Sequence, residues 1–197
     1  PSRLFVIGGI EISSKEGTTQ GDPIAMAVYA IAIIPLILMI LEITDSYSER
    51  PKAAAYADDL TAAGSIKAIK YWWEQLCRLG PKFGYFPEAT KSWLIIKPNF
   101  KIKTEQIIGG SGVYITEDGK IHLGASIGSQ KFKSNYLDGK VNEWIKELKV
   151  LSQIAKSQPQ SAYSCFITGF KHKVTYYMRT TDGAMDHLKR LDEEIQT

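Results

Sequence analysis

The sequence predicts an α+β chain in which strands and helices mix up to about residue 130 and helices alone follow. Two observations predict it. Short apolar runs bounded by Gly, Pro, Asp or Ser recur in the first part: LFVIGGI, KAAAYA, LTAAG, SWLIIK and GVYITEDGKIHLGASIG. From about Asn135 the apolar residues return only at helical spacing, as Val141, Trp144, Leu148, Leu151 and Ala155. A boundary near residue 130 follows, with 1–130 as a mixed segment and 131–197 as an all-α one.

Composition bounds the function weakly. The 197 residues suit one domain with a helical appendage. Net charge is +3 but unevenly spread. Residues 1–66 hold 4 Lys and Arg against 8 Asp and Glu, and the remainder holds 20 against 13. An anion-binding surface is therefore expected in the later part. Cys77 and Cys165 lie far apart without metal-ligand spacing and read as reduced thiols of an intracellular protein. No stretch reads as a signal or transit peptide. The first residue, Pro1, fits either removal of a methionine or an excerpt of a longer chain.

In chain order, LFVIGGI reads as a short strand entering a Gly-Gly turn, and residues 13–23 as a polar loop. Asp22 followed by Pro23 has the pattern of a helix N-cap with proline in the first turn. The helix that follows contains IAMAVYAIAIIPLILMIL, 18 residues without a charge. That is the lower edge of a membrane-spanning length. Pro35 interrupts it, Glu42 and Asp45 follow it, and no basic cluster flanks it. A helix apolar all round also suits the core of a soluble domain, and no membrane partner is expected.

ERPK breaks that helix. KAAAYA then reads as a strand, Asp58-Asp59 as the turn and LTAAG as the return strand. Ser65 can cap a helix to Leu79, with Ile66, Ile69, Trp72, Trp73 and Leu76 on its apolar face and Gly80-Pro81 as its stop. FGYFPEATK is a loop and SWLIIK a buried strand. Residues 112–128 read as two strands around a Glu-Asp-Gly turn. Pro159 ends the next helix, and two more helices are expected over 161–178 and 183–195.

The chemistry centres on AAAYADDLTAAG, residues 53–64. Asp58 and Asp59 cannot both ionise cheaply side by side unless a cation offsets their repulsion. Hard oxygen ligands in a polar turn suit Mg²⁺, which takes one or two carboxylates, waters and substrate phosphates. That chemistry points to phosphoryl or nucleotidyl transfer by two metals. Asp also favours turns on its own account, so the dipeptide alone reads as an ordinary hairpin turn.

The context extends the pattern. Tyr56-Ala57-Asp58-Asp59 on a strand-turn-strand resembles motif C of reverse transcriptases. Gln20-Gly21-Asp22-Pro23 opening a long helix resembles their motif B, Gly84 and Lys91 their motif D, and His122-Leu123-Gly124 the motif E primer-grip hairpin. The resemblance covers roughly residues 1–130 and is closest to retrotransposon-type enzymes. It implies a right-hand polymerase palm, an antiparallel sheet with packed helices, followed by an all-α thumb or connection segment. It implies Asp58 as a ligand of both catalytic Mg²⁺ ions and Asp59 as a second ligand. Tyr56 would pack under the primer end. Gln20 and Gly21 would lie against the incoming nucleotide and the templating base, and Lys91 against the pyrophosphate leaving group or simply in solvent. His122, Leu123 and Gly124 would help position the primer backbone. Primer-template and deoxynucleoside triphosphates are the implied partners, while oligomeric state is not implied.

The family pattern also needs motif A, a strand with a further aspartate upstream of motif B. The first aspartate here is Asp22, preceded only by Glu11 and Glu16. The metal site is thus expected to be incomplete in these 197 residues, its remaining ligand lying outside them, and the isolated chain to be inactive. Beyond residue 130, Lys133, Lys140, Lys146, Lys149, Lys156, His172, Lys173 and Arg179 occur among aromatics. In a thumb they would track phosphates without reading sequence. Two further readings stay open: a non-catalytic nucleic-acid-binding remnant of such a polymerase, and a small membrane protein anchored by residues 24–41.

Overall fold

The computed structural model describes residues 2–6, 8–14, 22–45 and 50–196. Their helices and four small two-stranded sheets make an α+β chain. It divides into two compact units, Pro1–Glu88 and Ala89–Thr197. The boundary expected near residue 130 falls inside the second unit, where its longest helix begins.

The first unit opens with an antiparallel hairpin, β1 (Ser2–Val6) and β2 (Ile10–Ser14). Helix α1 (Ala25–Asp45) follows, its start capped by the Asp22 carboxylate, which accepts from Ile24 N–H at 2.9 Å. Strands β3 (Lys52–Tyr56) and β4 (Asp59–Ala63) form the next hairpin, and α2 (Ile66–Leu79) follows it. Ser65 caps α2 through Ala68 N–H, as expected. The core of this unit joins Ile33, Leu36 and Ile40 of α1 to Trp72, Leu76 and Leu79 of α2, with Leu60 and Ala62 of β4 against them.

Helix α1 is therefore buried along one stripe only. Its opposite face, including Val28, Ile31 and Leu38, is exposed, Ile31 by 69%. The helix that the sequence offers either as a core helix or as a membrane span has a packing partner on one side among the described residues. At 21 residues it is long and apolar enough to cross a membrane.

The second unit begins with β5 (Trp93–Ile95), α3 (Lys101–Ile108) and β6 (Tyr114–Thr116). β5 pairs with β6 in parallel, and Trp93 stacks on its register partner Tyr114 with ring centroids 4.8 Å apart. The strand expected at SWLIIK is thus shorter than its apolar run and half-exposed rather than buried. Strands β7 (Gly119–His122) and β8 (Ala125–Gly128) form an antiparallel hairpin about Leu123-Gly124, not about the Glu-Asp-Gly segment. Helix α4 (Gln130–Ala155) starts at its Ser129 cap, before Asn135. Helices α5 (Pro159–Cys165) and α6 (Lys171–Thr180) continue one another through a π-helical segment, Phe166–Phe170, and α7 (Ala184–Gln196) ends the unit. Leu137, Val141 and Trp144 of α4 pack with Phe170, Tyr177, Leu188 and Leu191 as its core.

Candidate functional site

The aspartate pair stands on the β3–β4 hairpin. The register pairs Tyr56 with Asp59, so the two-residue turn is Ala57-Asp58, one residue earlier than the Asp58-Asp59 turn the sequence suggests. Ala57 carries the positive φ that such a turn demands, +52°. With φ positive at the first central residue only, the turn has the φ pattern of type II′, which twists with the strands. Asp58 thus sits at the tip, and Asp59 on the first rung of the ladder. Both carboxylates are exposed, as is Tyr56, by 68%.

The ribbon behind them is thin. All five residues of β3 are exposed, and β4 packs Leu60 and Ala62 onto the helices. What reaches the tip is aromatic. The Tyr85 hydroxyl donates to the Asp58 carbonyl at 3.3 Å, from 27 residues away. Burial pushes the Tyr85 phenol up to about 12, with Tyr29, Asp58 and Asp59 adding to the effect. Burial, then the charge of Asp58, also raises Tyr29 above the usual phenol range. Both tyrosines are therefore neutral at physiological pH and available as hydrogen-bond donors near the carboxylate pair.

The segment carrying Tyr85 is fixed by glycine. After α2, Gly80–Phe83 makes one 3₁₀ turn and Gly84 closes it in the left-handed region at φ +73°. Tyr85 N–H then donates back to Gly80 O at 3.0 Å. A Cβ on Gly80 would lie 2.5 Å from the Tyr85 carbonyl oxygen, so this return is open to glycine only. Gly84, which the resemblance assigns to motif D, has here a conformational role in placing its neighbour.

The other candidates fall elsewhere. Gln20 and Gly21 lie outside the described residues. Lys91 ends a short 3₁₀ turn, Ala89–Lys91, of the second unit and is exposed. His122 ends β7, half-buried, and Leu123-Gly124 form the turn, with φ +49° and +82°. Two tyrosines hold that turn. Tyr136 of α4 donates to Gly124 O at 3.2 Å, and Tyr176 of α6 donates to Leu123 O. Of the tail lysines, Lys140, Lys149 and Lys173 pair with Glu143, Glu194 and Glu147 at 2.7, 3.4 and 2.7 Å.

Sequence reasoning missed Tyr29 and Tyr85. Tyr29 is the one hydroxyl in the uncharged run 24–41, and Tyr85 follows the glycine that needs a left-handed φ. Either signal could have placed them near a polar group. Among the described residues no three His, Cys, Asp or Glu side chains gather as a metal cluster. Asp58 and Asp59 can supply two carboxylates to a hard cation, leaving its other positions to water, substrate or further ligands. No family model, curated protein or solved structure matches the chain.

Proposed function

We propose that the chain is part of a reverse transcriptase, an RNA-directed DNA polymerase of retrotransposon type, and that the β3–β4 hairpin belongs to its palm. One observation carries this reading. Two adjacent aspartates stand exposed at the tip of a tight hairpin, behind Tyr56 and over a two-helix core, in the order of motifs that the sequence shows. Adjacent carboxylates without a cation repel, and a hairpin gains nothing from that repulsion. In this reading Asp58 and Asp59 hold Mg²⁺, which activates the primer hydroxyl and stabilises the leaving oxygen. Tyr56, Gln20 and Gly21 border primer end, nucleotide and template, Lys91 meets the pyrophosphate, and the hairpin at His122, Leu123 and Gly124 meets the primer backbone. The helices after residue 130 form a thumb or connection segment.

The second unit carries 16 Lys and Arg against 11 Asp and Glu, which favours phosphate contact. Lys101, Lys140, Lys149, Lys173 and Lys189 would first exchange their carboxylate partners, at a cost of about 1 kcal/mol or less each. A narrower reading keeps nucleic-acid binding without catalysis, and the absence of a third converging carboxylate among the described residues favours it for the isolated chain. Loss of a ligand that orients the reacting atoms lowers the rate by about a thousandfold or more.

The test is primer-template binding by anisotropy across a salt series, with primer extension on the same samples. Binding that weakens steeply with salt, is strengthened by Mg²⁺ and loses the Mg²⁺ effect in Asp58→Asn is the expected result, with negligible extension. Binding indifferent to salt, or no binding, contradicts the nucleic-acid reading. Robust Mg²⁺-dependent synthesis by these 197 residues contradicts the incomplete site.

A further inference from the structure

We infer that Tyr85 is a positioning residue for Asp58, holding the tip of the β3–β4 hairpin so that the Asp58 carboxylate is presented in one direction to a divalent cation. The inference rests on the metal role proposed above for the aspartate pair and names what orients it.

The two carboxylates differ in what fixes their backbones. Asp59 is paired with Tyr56 in the ladder. Asp58 lies beyond the ladder, next to Ala57 at φ +52°. A non-glycine residue in that region is disfavoured, so the turn does not hold itself by local preference. The hydroxyl that reaches it, among the described residues, is that of Tyr85, bonded to the Asp58 carbonyl. Tyr85 is itself held from two sides. Its backbone N–H returns to Gly80 O, and its ring packs against the core of Trp72, Leu76 and Leu79. The chain thus runs from the helical core through a rigid aromatic to the one carboxylate that the ladder leaves unheld.

The second unit uses the same device where no carboxylate is present. Leu123, also at positive φ, has its carbonyl held by Tyr176, and Gly124 by Tyr136. Tyrosine hydroxyls thus restrain both two-residue turns that, among the described residues, place a non-glycine residue at positive φ.

The test uses Mn²⁺ as the probe, titrated into the 197-residue chain and followed by electron paramagnetic resonance of free and bound ion. Four proteins are compared: the unaltered chain, Tyr85→Phe, Tyr29→Phe and Asp58→Asn. The unaltered chain binds Mn²⁺ and Asp58→Asn does not, which locates the ion. Tyr85→Phe weakens binding by roughly fivefold, the scale of one hydrogen bond, and alters the bound-ion spectrum. Its thermal midpoint falls by only about 2–4 °C, because the ring and its packing remain and one hydrogen bond is lost. Tyr29→Phe removes a hydroxyl from the same neighbourhood without touching the turn, and leaves affinity within about twofold. If the unaltered chain leaves all Mn²⁺ free, or Asp58→Asn binds as well, the metal reading fails and takes this inference with it. If Asp58→Asn abolishes binding while Tyr85→Phe changes neither affinity nor spectrum, the metal reading stands and the positioning role is overturned.

Discussion

The two hairpins β3–β4 and β7–β8 solve one geometric problem with different margins. Each closes through two residues, and each puts a non-glycine residue at positive φ, Ala57 at +52° and Leu123 at +49°. The β7–β8 turn is held by two tyrosine hydroxyls from two helices. At its open end Gly119 lies against Phe132 and the Ile127 carbonyl, and Ser129 turns directly into α4. The β3–β4 turn is held by Tyr85 alone among the described residues, its first strand is wholly exposed, and it carries two negative charges. The hairpin without a carboxylate is over-determined, and the one that carries the aspartate pair is lightly held and open to solvent. On the proposed metal reading, a tip that admits a cation and a substrate has to leave room, and that room would be taken from packing.

The largest expected effect breaks the better-held hairpin. Gly119 sits at φ +152°, and a Cβ there would lie 2.5 Å from Ile127 O and 2.6 Å from the Phe132 ring. Gly119→Ala should cost about 3 kcal/mol in urea unfolding, from backbone strain and overpacking together. A cost below about 1 kcal/mol would show that this end of the hairpin yields easily and that the contrast is overstated. Removing both tyrosine hydroxyls from the same hairpin, as Tyr136→Phe with Tyr176→Phe, should cost about 2 kcal/mol in the same assay, roughly 1 per hydrogen bond. Tyr85→Phe should cost about half of that, because one bond is lost.

Alkaline titration sharpens the comparison differently. Burial, foremost, and then the Tyr136 hydrogen bond and nearby charges raise the Tyr177 phenol in the second unit. Tyr85 is raised to about 12 in the first. A phenol raised by folding binds its proton more tightly in the folded state. Its contribution is therefore fully present below the ordinary value of 10 and is lost as pH rises through the folded value. Stability should fall from pH about 10 upward, read by denaturant midpoints, and Tyr177→Phe should flatten that fall more than Tyr85→Phe. The smallest effect belongs to Ala57→Gly. Relief of the left-handed strain is nearly offset by added chain entropy, so a gain of about 0.5 kcal/mol is expected.

Parts of this were legible in the residues and parts were not, for physical reasons. Helix α2 reads well because Ser65, the apolar positions and Gly80-Pro81 all agree. The β3–β4 hairpin reads well because small residues bracket a polar turn, although its register is shifted by one. Asp118-Gly119 carries the local signal of a tight hairpin, yet the chain there only passes between a parallel pairing and the next hairpin. Parallel pairing of β5 with β6 is non-local, and no residue pattern within either strand announces it. Leu123 in a turn defies propensity, and two hydroxyls hold that turn, one at Leu123 O and one at Gly124 O. Helix α3 was missed because KIKTEQII has neither a side-chain cap nor a clear apolar stripe. At the candidate site the carboxylates were plain in the sequence. The tyrosines around them were not, since their nearness depends on how α1 and the Gly80–Phe83 turn pack.

The most direct test of the metal reading maps the ion on the chain itself. Fe²⁺ substituted for Mg²⁺, with ascorbate and peroxide, cleaves backbone near the site that binds it. The account predicts cleavage confined to residues 56–60, suppressed by excess Mg²⁺ and absent in Asp58→Asn. Cleavage elsewhere, or cleavage at the hairpin that survives both Mg²⁺ and the substitution, contradicts it.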